Sequence, residues 1–372
     1  MKKELSNVEI KYLVDEFQQL KDSKVEKVYQ PDKKDLLFSF HVPRIGKKML
    51  RIILPGFIWL TETKPDMPEK IHGFCSFLRK YLTNARLREI KQIESERIIQ
   101  LDFETKEEKY ALIIELFGKG NIILCKDKKI IQPLSIQKWK DRIIKKGEEY
   151  TFPSKEHNPF KISFAKFKKL IEDSKETMSK TLAVQLGIGG TYAEEVCLRT
   201  GIRKTTKKIT AQEIKKMHEM LLSLLKQKIE PAVVFENNEI LDIVPFKLEL
   251  YAEKRQEPFK NYSKALDSIL SKDIGKEELK EVSDKFGKKI GKIETRLKLQ
   301  KENLEKQKKQ AKEFQEKGEK IYEKYQELQT LLSEINKMRK TMSWKEIKEK
   351  LKGIKYIKQI NEKTGEIVIE VN

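Results

Sequence analysis

The chain has 372 residues, with 79 Lys or Arg against 58 Asp or Glu, a formal charge of +21 at pH 7. That length suits two or three domains, and so large a basic surplus favours a polyanionic partner: RNA, DNA or an acidic membrane face. No run of eighteen apolar residues is present, so no membrane span is expected, and the opening MKKELSNVEIKYLVDEF lacks the apolar stretch and cleavage site of a secretory signal.

Ser6-x-x-Glu9 is a capping box that opens the first helix, with Ile10, Leu13, Val14, Phe17 and Leu20 at helical spacing. Strands are predicted at 24–30, 36–41, 49–54 and 57–61, with Pro55-Gly56 supplying a turn. A helix follows at 69–82, then strands near 86–93, 97–103, 110–117 and 122–125. Several connections are too short for crossovers, so the fold class is α+β with a mostly antiparallel sheet, over residues 1–160. Its end is placed near Pro153 to Pro159.

Residues 161–230 read as helical. Two short helices flank the glycine turn Leu186-Gly187-Ile188-Gly189-Gly190. Glycines admit a tight turn and close backbone approach, and the helix expected from Thr191 would offer free N–H groups to a phosphate. Apolar Leu182, Leu186, Ile188, Ala193 and Val196 flank the turn at the spacing of a helix–hairpin–helix unit, which grips a nucleic-acid backbone without reading sequence. The plainer alternative is a C-cap glycine and a packing turn. Arg199, Arg203 and Lys204 follow closely and could neutralise a backbone there. Thr210-x-x-Glu213 caps the last helix.

A β-hairpin at 233–236 and 240–245, turned at Asn237-Asn238, occupies the 231–260 segment and is too short to fold alone, so it should return to the first domain. Residues 261–342 read as the first helix of a coiled-coil arm. One seam is Ile290, Leu297, Leu304, Ala311, Gly318, Tyr325 and Leu332; the other is Ile293, Gln300, Gln307, Phe314, Ile321, Leu328 and Ile335. Its partner is either a second copy, giving a homodimer, or a helix from a C-terminal part beyond residue 372; the second is favoured. A small α/β tip fills 343–372: Ser343-Trp344-Lys345-Glu346 opens a helix, and 354–360 and 366–371 form a hairpin turned at Lys363-Thr364-Gly365.

Cys75, Cys125 and Cys197 form no CxxC, which suggests reduced, buried thiols in a cytoplasmic protein. The four histidines do not cluster, so no metal is expected. No GxxxxGK[ST] loop and no recognisable catalytic set are present, and neither enzyme activity nor a cofactor is expected.

Taken together, several motifs resemble the NFACT family, called NEMF in animals and RqcH in bacteria and archaea and sometimes described as fibronectin-binding proteins. They are Phe77-Leu78-Arg79-Lys80-Tyr81-Leu82, Glu115-Leu116-Phe117-Gly118 with Asn121-Ile122-Ile123-Leu124, Gly147-x-x-Tyr150-x-x-Pro153, and the LGIGGTYAEE stretch. The resemblance runs through the NFACT-N domain, the helix–hairpin–helix region and the first part of the coiled-coil middle region, with archaeal flavour. The family's C-terminal NFACT-R domain is missing, which implies a fragment.

Such a resemblance implies an NFACT-N domain akin to the formamidopyrimidine-DNA glycosylase fold. It also implies a role in ribosome-associated quality control: binding large ribosomal subunits obstructed by peptidyl-tRNA, and holding tRNA there so that alanine-rich C-terminal tails are added without mRNA. The family's tRNA-contacting Asp-Arg pair matches Glu96 and Arg97, so Glu stands where the family has Asp. A second family carboxylate, normally Asp, matches Glu9, which the capping box explains equally well. Arg79 and Lys80 are candidate phosphate contacts, or simply a basic helix C-terminus. Gly187, Gly189, Gly190, Arg203 and Lys204 complete the candidate RNA-binding set. A glycosylase reading lacks the N-terminal proline nucleophile and the four-cysteine zinc finger, though DNA binding stays open as an alternative. An adhesin reading lacks an export signal.

Overall fold

The structure, a computed structural model, describes residues 2–139, 142–153, 157–354 and 356–370, with 272–294 described by backbone alone. It divides into two compact units, Met1–Glu278 and Leu279–Asn372. The expected boundary at 153–159 falls partly outside the described residues.

In the first unit, helix α1 (Asn7–Phe17) starts at the Ser6 capping box, both halves of which are formed. Strands β1 (Lys24–Asp32), β2 (Asp35–Val42), β3 (Gly46–Ile53) and β4 (Phe57–Thr61) lead to α2 (Gly73–Leu82). Then come β5 (Arg86–Gln92), β6 (Ile98–Glu104), β7 (Lys109–Glu115), β8 (Asn121–Lys126) and β9 (Lys129–Pro133). Among the described residues these strands form one antiparallel sheet, ordered β4-β3-β2-β1-β5-β6-β7-β8-β9. The expected α+β sheet is therefore present and one strand wider than the sequence suggested. The added β9 pairs with β8 through a turn at Asp127 and Lys128, both at positive φ. A small ribbon, β10 (Gln137–Lys138) and β11 (Ile143–Ile144), follows.

The helical part comprises α3 (Phe164–Asp173), α4 (Met178–Lys180) running on into a wide π turn over Thr181–Gln185, α5 (Gly190–Thr200) and α6 (Ala211–Leu224). The second helix begins at Gly190, one residue before the predicted Thr191. Thr210 and Glu213 form the expected capping box of α6.

Helix α1 lies between two cores, which explains its burial on nearly every face. Ile10, Leu13 and Phe17 join the sheet core with Phe38, Trp59 and Leu101. Val8 and Tyr12 join the helical core with Leu186, Tyr192 and Met217. The hairpin β12 (Ala232–Glu236) and β13 (Glu239–Val244) turns at Asn237 and Asn238, with φ of 49° and 63°. It serves both cores through strand alternation: Val233 and Ile243 enter the sheet core, while Val234 and Val244 enter the helical one. The predicted two-stranded hairpin is in fact three-stranded, because β14 (Arg255–Pro258) pairs with β12.

Helix α7 (Tyr262–Glu323) begins within this unit. Its first N–H groups, on Tyr262 and Ser263, donate to the Glu16 carboxylate, the latter at 3.0 Å. Tyr262, Ala265, Leu266 and Leu270 are buried in the sheet core, and the Trp59 indole N–H donates to Asp267 at 2.9 Å.

In the second unit, every side chain from Thr295 to the end of α7 is exposed. The single heptad register expected across 261–342 needs correction. The helix breaks at Lys324 (φ −106°, ψ 22°), and α8 (Tyr325–Arg339) forms a separate element. Its Leu331 and Ile335 bury against Ile347, Leu351 and Ile360, so a local core claims the end of the stripe. Those partners come from α9 (Trp344–Lys350), the residue just after it, and the hairpin β15 (Ile357–Asn361) with β16 (Glu366–Ile369). Ile290 and Ile293 lie outside the residues whose side chains are described, as does Val371.

Candidate nucleic-acid interface

The N-terminal segment crosses the turn between β3 and β4, where the Leu5 N–H donates to Gly56 O at 2.9 Å. A Cβ on Gly56 would stand 2.8 Å from Lys3 O, so glycine is what lets the segment lie there. Across from it, the β5–β6 turn carries Ser95, Glu96 and Arg97. Asn7 Nδ2 donates to Ser95 O at 3.0 Å, and Gln92 Nε2 donates to the carbonyls of Asn7 and Glu96, both at 2.9 Å. The turn is thereby fixed to the start of α1.

The glycine turn forms the third wall. Gly187 and Gly189 have φ of 78° and 86°, which only glycine adopts without strain. Gly189 is the N-cap of α5 and has no capping side chain. The N–H groups of Gly190, Thr191 and Tyr192 donate to no acceptor among the described residues. Together these walls enclose a cleft of about 660 Å³ that also takes in Lys2, Lys3, Asp242 and Tyr251.

Beneath the cleft sits a buried polar network. Lys2 Nζ donates to Glu9 at 2.6 Å, to Asp242 at 2.7 Å and to Ile243 O at 3.0 Å. The Tyr192 hydroxyl donates to Glu9 and the Tyr251 hydroxyl to Asp242, both at 2.9 Å. Burial pulls the Lys2 ammonium down, but its two carboxylate partners outweigh that and hold it above the usual lysine value. Burial raises the hydroxyls of Tyr192 and Tyr251, with Glu9 and Asp242 respectively adding to it, so both remain donors. Asn7 Oδ1, also on the cleft, is a buried acceptor with no partner among the described residues.

Six of the predicted residues meet here: Glu9, Glu96, Arg97, Gly187, Gly189 and Gly190. Their settings differ. Glu9 is 1% exposed and bonded to Ser6 N, Lys2 and Tyr192, so it acts as the hub of the network. Arg97 is more accessible, its side chain 22% exposed and paired at 2.7 Å with a half-exposed Glu4. An incoming phosphate could exchange for Glu4 on that guanidinium. Arg79 and Lys80 on α2, and Arg203 and Lys204 beyond α5, do not line the cleft. Lys204 pairs with Glu194 at 3.1 Å, while Arg203 is exposed and forms no ion pair among the described residues. Sequence reasoning missed Lys2, Asp242, Tyr192 and Tyr251; a Lys2–Asp242 contact spans 240 positions, and no local pattern announces it.

Solved structures share this fold class, a mixed α/β chain built on a large antiparallel sheet. The N-terminal part of the fibronectin/fibrinogen-binding protein from Streptococcus suis matches with a TM-score of 0.59 at 22% identity, covering 72% of this chain and 99% of that one. The fibrinogen binding protein from Staphylococcus aureus matches with a TM-score of 0.60 at 24% identity, covering 70% and 97%. At such identities the likeness concerns the fold.

The chain belongs to the NFACT family: the family model described as NFACT N-terminal and middle domains matches residues 6–364. The archaeal Rqc2 homolog aRqcH of Methanocaldococcus jannaschii is 35% identical over 324 residues, 82% of this chain and 48% of the relative. The Rqc2 homolog RqcH of Streptococcus pneumoniae is 25% identical over 80% of this chain and 52% of its own length. The human ribosome quality control complex subunit NEMF is 24% identical over 73% of this chain and 28% of its own length. The chain thus spans about half the length of the archaeal and streptococcal relatives.

Proposed function

We propose that this chain is the tRNA- and ribosome-facing part of a cytoplasmic ribosome quality control factor. In this reading it binds large ribosomal subunits obstructed by peptidyl-tRNA and holds tRNA, so that the ribosome adds an alanine-type tail without mRNA. The chain itself is a non-enzymatic scaffold, needing no cofactor or metal. One observation carries the reading: the turn with Glu96 and Arg97, the lysine-bearing N-terminal segment and the glycine turn converge on one cleft. Arg97 supplies a phosphate fork, and the unbonded N–H groups at the start of α5 add a second anion-binding element.

The segment around that glycine turn is read as a helix–hairpin–helix unit. The exposed stripe of Leu297, Leu304, Phe314 and Ile321 is read as one half of a coiled-coil arm, completed by a second helix. Among the described residues no helix is long and apolar enough to cross a membrane. The test is tRNA binding by the parent chain and by Arg97→Ala. Weaker binding by a variant of unchanged fold supports the reading; equal binding refutes it.

A further inference from the structure

Across the large sheet, many cations are matched by carboxylates: Arg51 by Asp35, Arg88 by Asp22 and Glu104, Lys91 by Glu89 and Asp102. One cluster is not. Lys27 Nζ, Lys64 Nζ and the Arg79 guanidinium carbon stand 5.5, 4.6 and 5.8 Å from the centre of the Tyr29 ring. None of these three cations forms an ion pair among the described residues, and none lines the cleft. They come from β1, from the segment after β4 and from α2, so the fold assembles them. A ring attracts a cation through its negative face, but one ring does not neutralise three.

Arg79 is pre-aimed. Its Nε donates to Val28 O at 2.7 Å, and its terminal nitrogens donate to no acceptor among the described residues. Burial raises the neighbouring Cys75 thiol, and Arg79 and Lys27 pull it back. Lys24 of β1, Lys80 of α2 and Arg86 of β5 line one depression with Arg88 and Lys106, five cations against Glu104, Glu107 and Glu108, so that surface is net positive. A single phosphate needs only the first cluster, whereas a second net-positive surface suits a repeating polyanion.

We infer that Lys27, Lys64 and Arg79 around Tyr29 form a second anion site that holds a backbone phosphate of RNA, apart from the cleft. This rests on the RNA-binding reading above. Arg79 forks to the phosphate oxygens, the two lysines act as point charges, and the half-buried Tyr29 ring keeps all three gathered.

The test is a salt series of binding measurements with unfractionated tRNA on the full chain. Lys27→Gln combined with Lys64→Gln removes two exposed cations without disturbing a buried contact. The slope of log affinity against log salt should fall by about 0.7–0.9, one phosphate contact's worth. A control pair, Lys47→Gln with Lys161→Gln, should leave the slope unchanged. An unchanged slope in the test pair, with Arg97→Ala still weakening binding, overturns this site and leaves the cleft reading standing. An equal fall in the control pair also overturns it, since the effect is then one of total charge. No tRNA binding by the parent overturns both readings.

Discussion

Replacing Lys2 by Met strips the single cation from a network that holds two carboxylates. The side chains of Lys2, Glu9 and Asp242 are only 8%, 2% and 10% exposed, so water does not take over its role. Breaking a buried pair by removing one partner costs about 3–5 kcal/mol. Glu9 keeps Ser6 N and Tyr192, and Asp242 keeps Ile243 N and Tyr251, so a loss near the lower end, about 3 kcal/mol, is expected.

The pH dependence gives the sign. In the parent, Lys2 is held above 10.5 when folded, so its contribution is complete below that pH and is lost as pH rises through the folded value. In Lys2→Met, the deficit should be full at neutral pH and shrink in alkali, where the parent's Lys2 loses its proton. Urea unfolding of both proteins from acid to alkaline pH measures this. A deficit below about 1 kcal/mol, the scale of an exposed pair, or one flat across pH, would refute the network argument.

Three further outcomes are expected. Arg97→Ala should cost under about 1 kcal/mol of stability, because its partner Glu4 is half exposed, while tRNA affinity falls roughly ten- to a hundredfold; urea unfolding and filter binding check the two parts. Gly189→Val should destabilise by about 1–3 kcal/mol in urea unfolding, since φ of 86° and ψ of 159° is a glycine-only conformation. Burial pushes the Cys125 thiol up to about 12 and the Cys197 thiol up to about 11, so neither should alkylate at pH 8 in the native chain and both should in urea, as read by mass spectrometry.

Local chemistry made much of the fold legible. The Ser6 and Thr210 capping boxes and the Asn237-Asn238 turn are signals written in a few adjacent residues, and each forms as expected. The β9 strand escaped notice because its turn, Asp127-Lys128, puts a lysine at positive φ, where glycine or asparagine usually marks the spot. β14 was invisible for a different reason: Arg255-Gln256-Glu257-Pro258 has no apolar alternation and becomes a strand by pairing with β12. At Lys324 the heptad pattern continued while the helix did not, since Ile335 suits a coiled-coil seam and a local core equally well. The cleft divided along the same line. Arg97 and the glycines stood out by resemblance and by turn chemistry, whereas Lys2, Asp242 and Tyr251 meet only after the chain has closed over hundreds of positions.

In the proposed role this chain grips tRNA at the cleft while engaged with the large ribosomal subunit. Ultraviolet crosslinking of the tagged chain in cells, followed by sequencing of the bound RNA and mapping of the crosslinked peptides, tests it most directly. Enrichment of tRNA together with large-subunit ribosomal RNA is expected, with crosslinked peptides from residues 2–7, 95–97 and 187–191. Absence of RNA enrichment, with salt-sensitive DNA binding in its place, would contradict it.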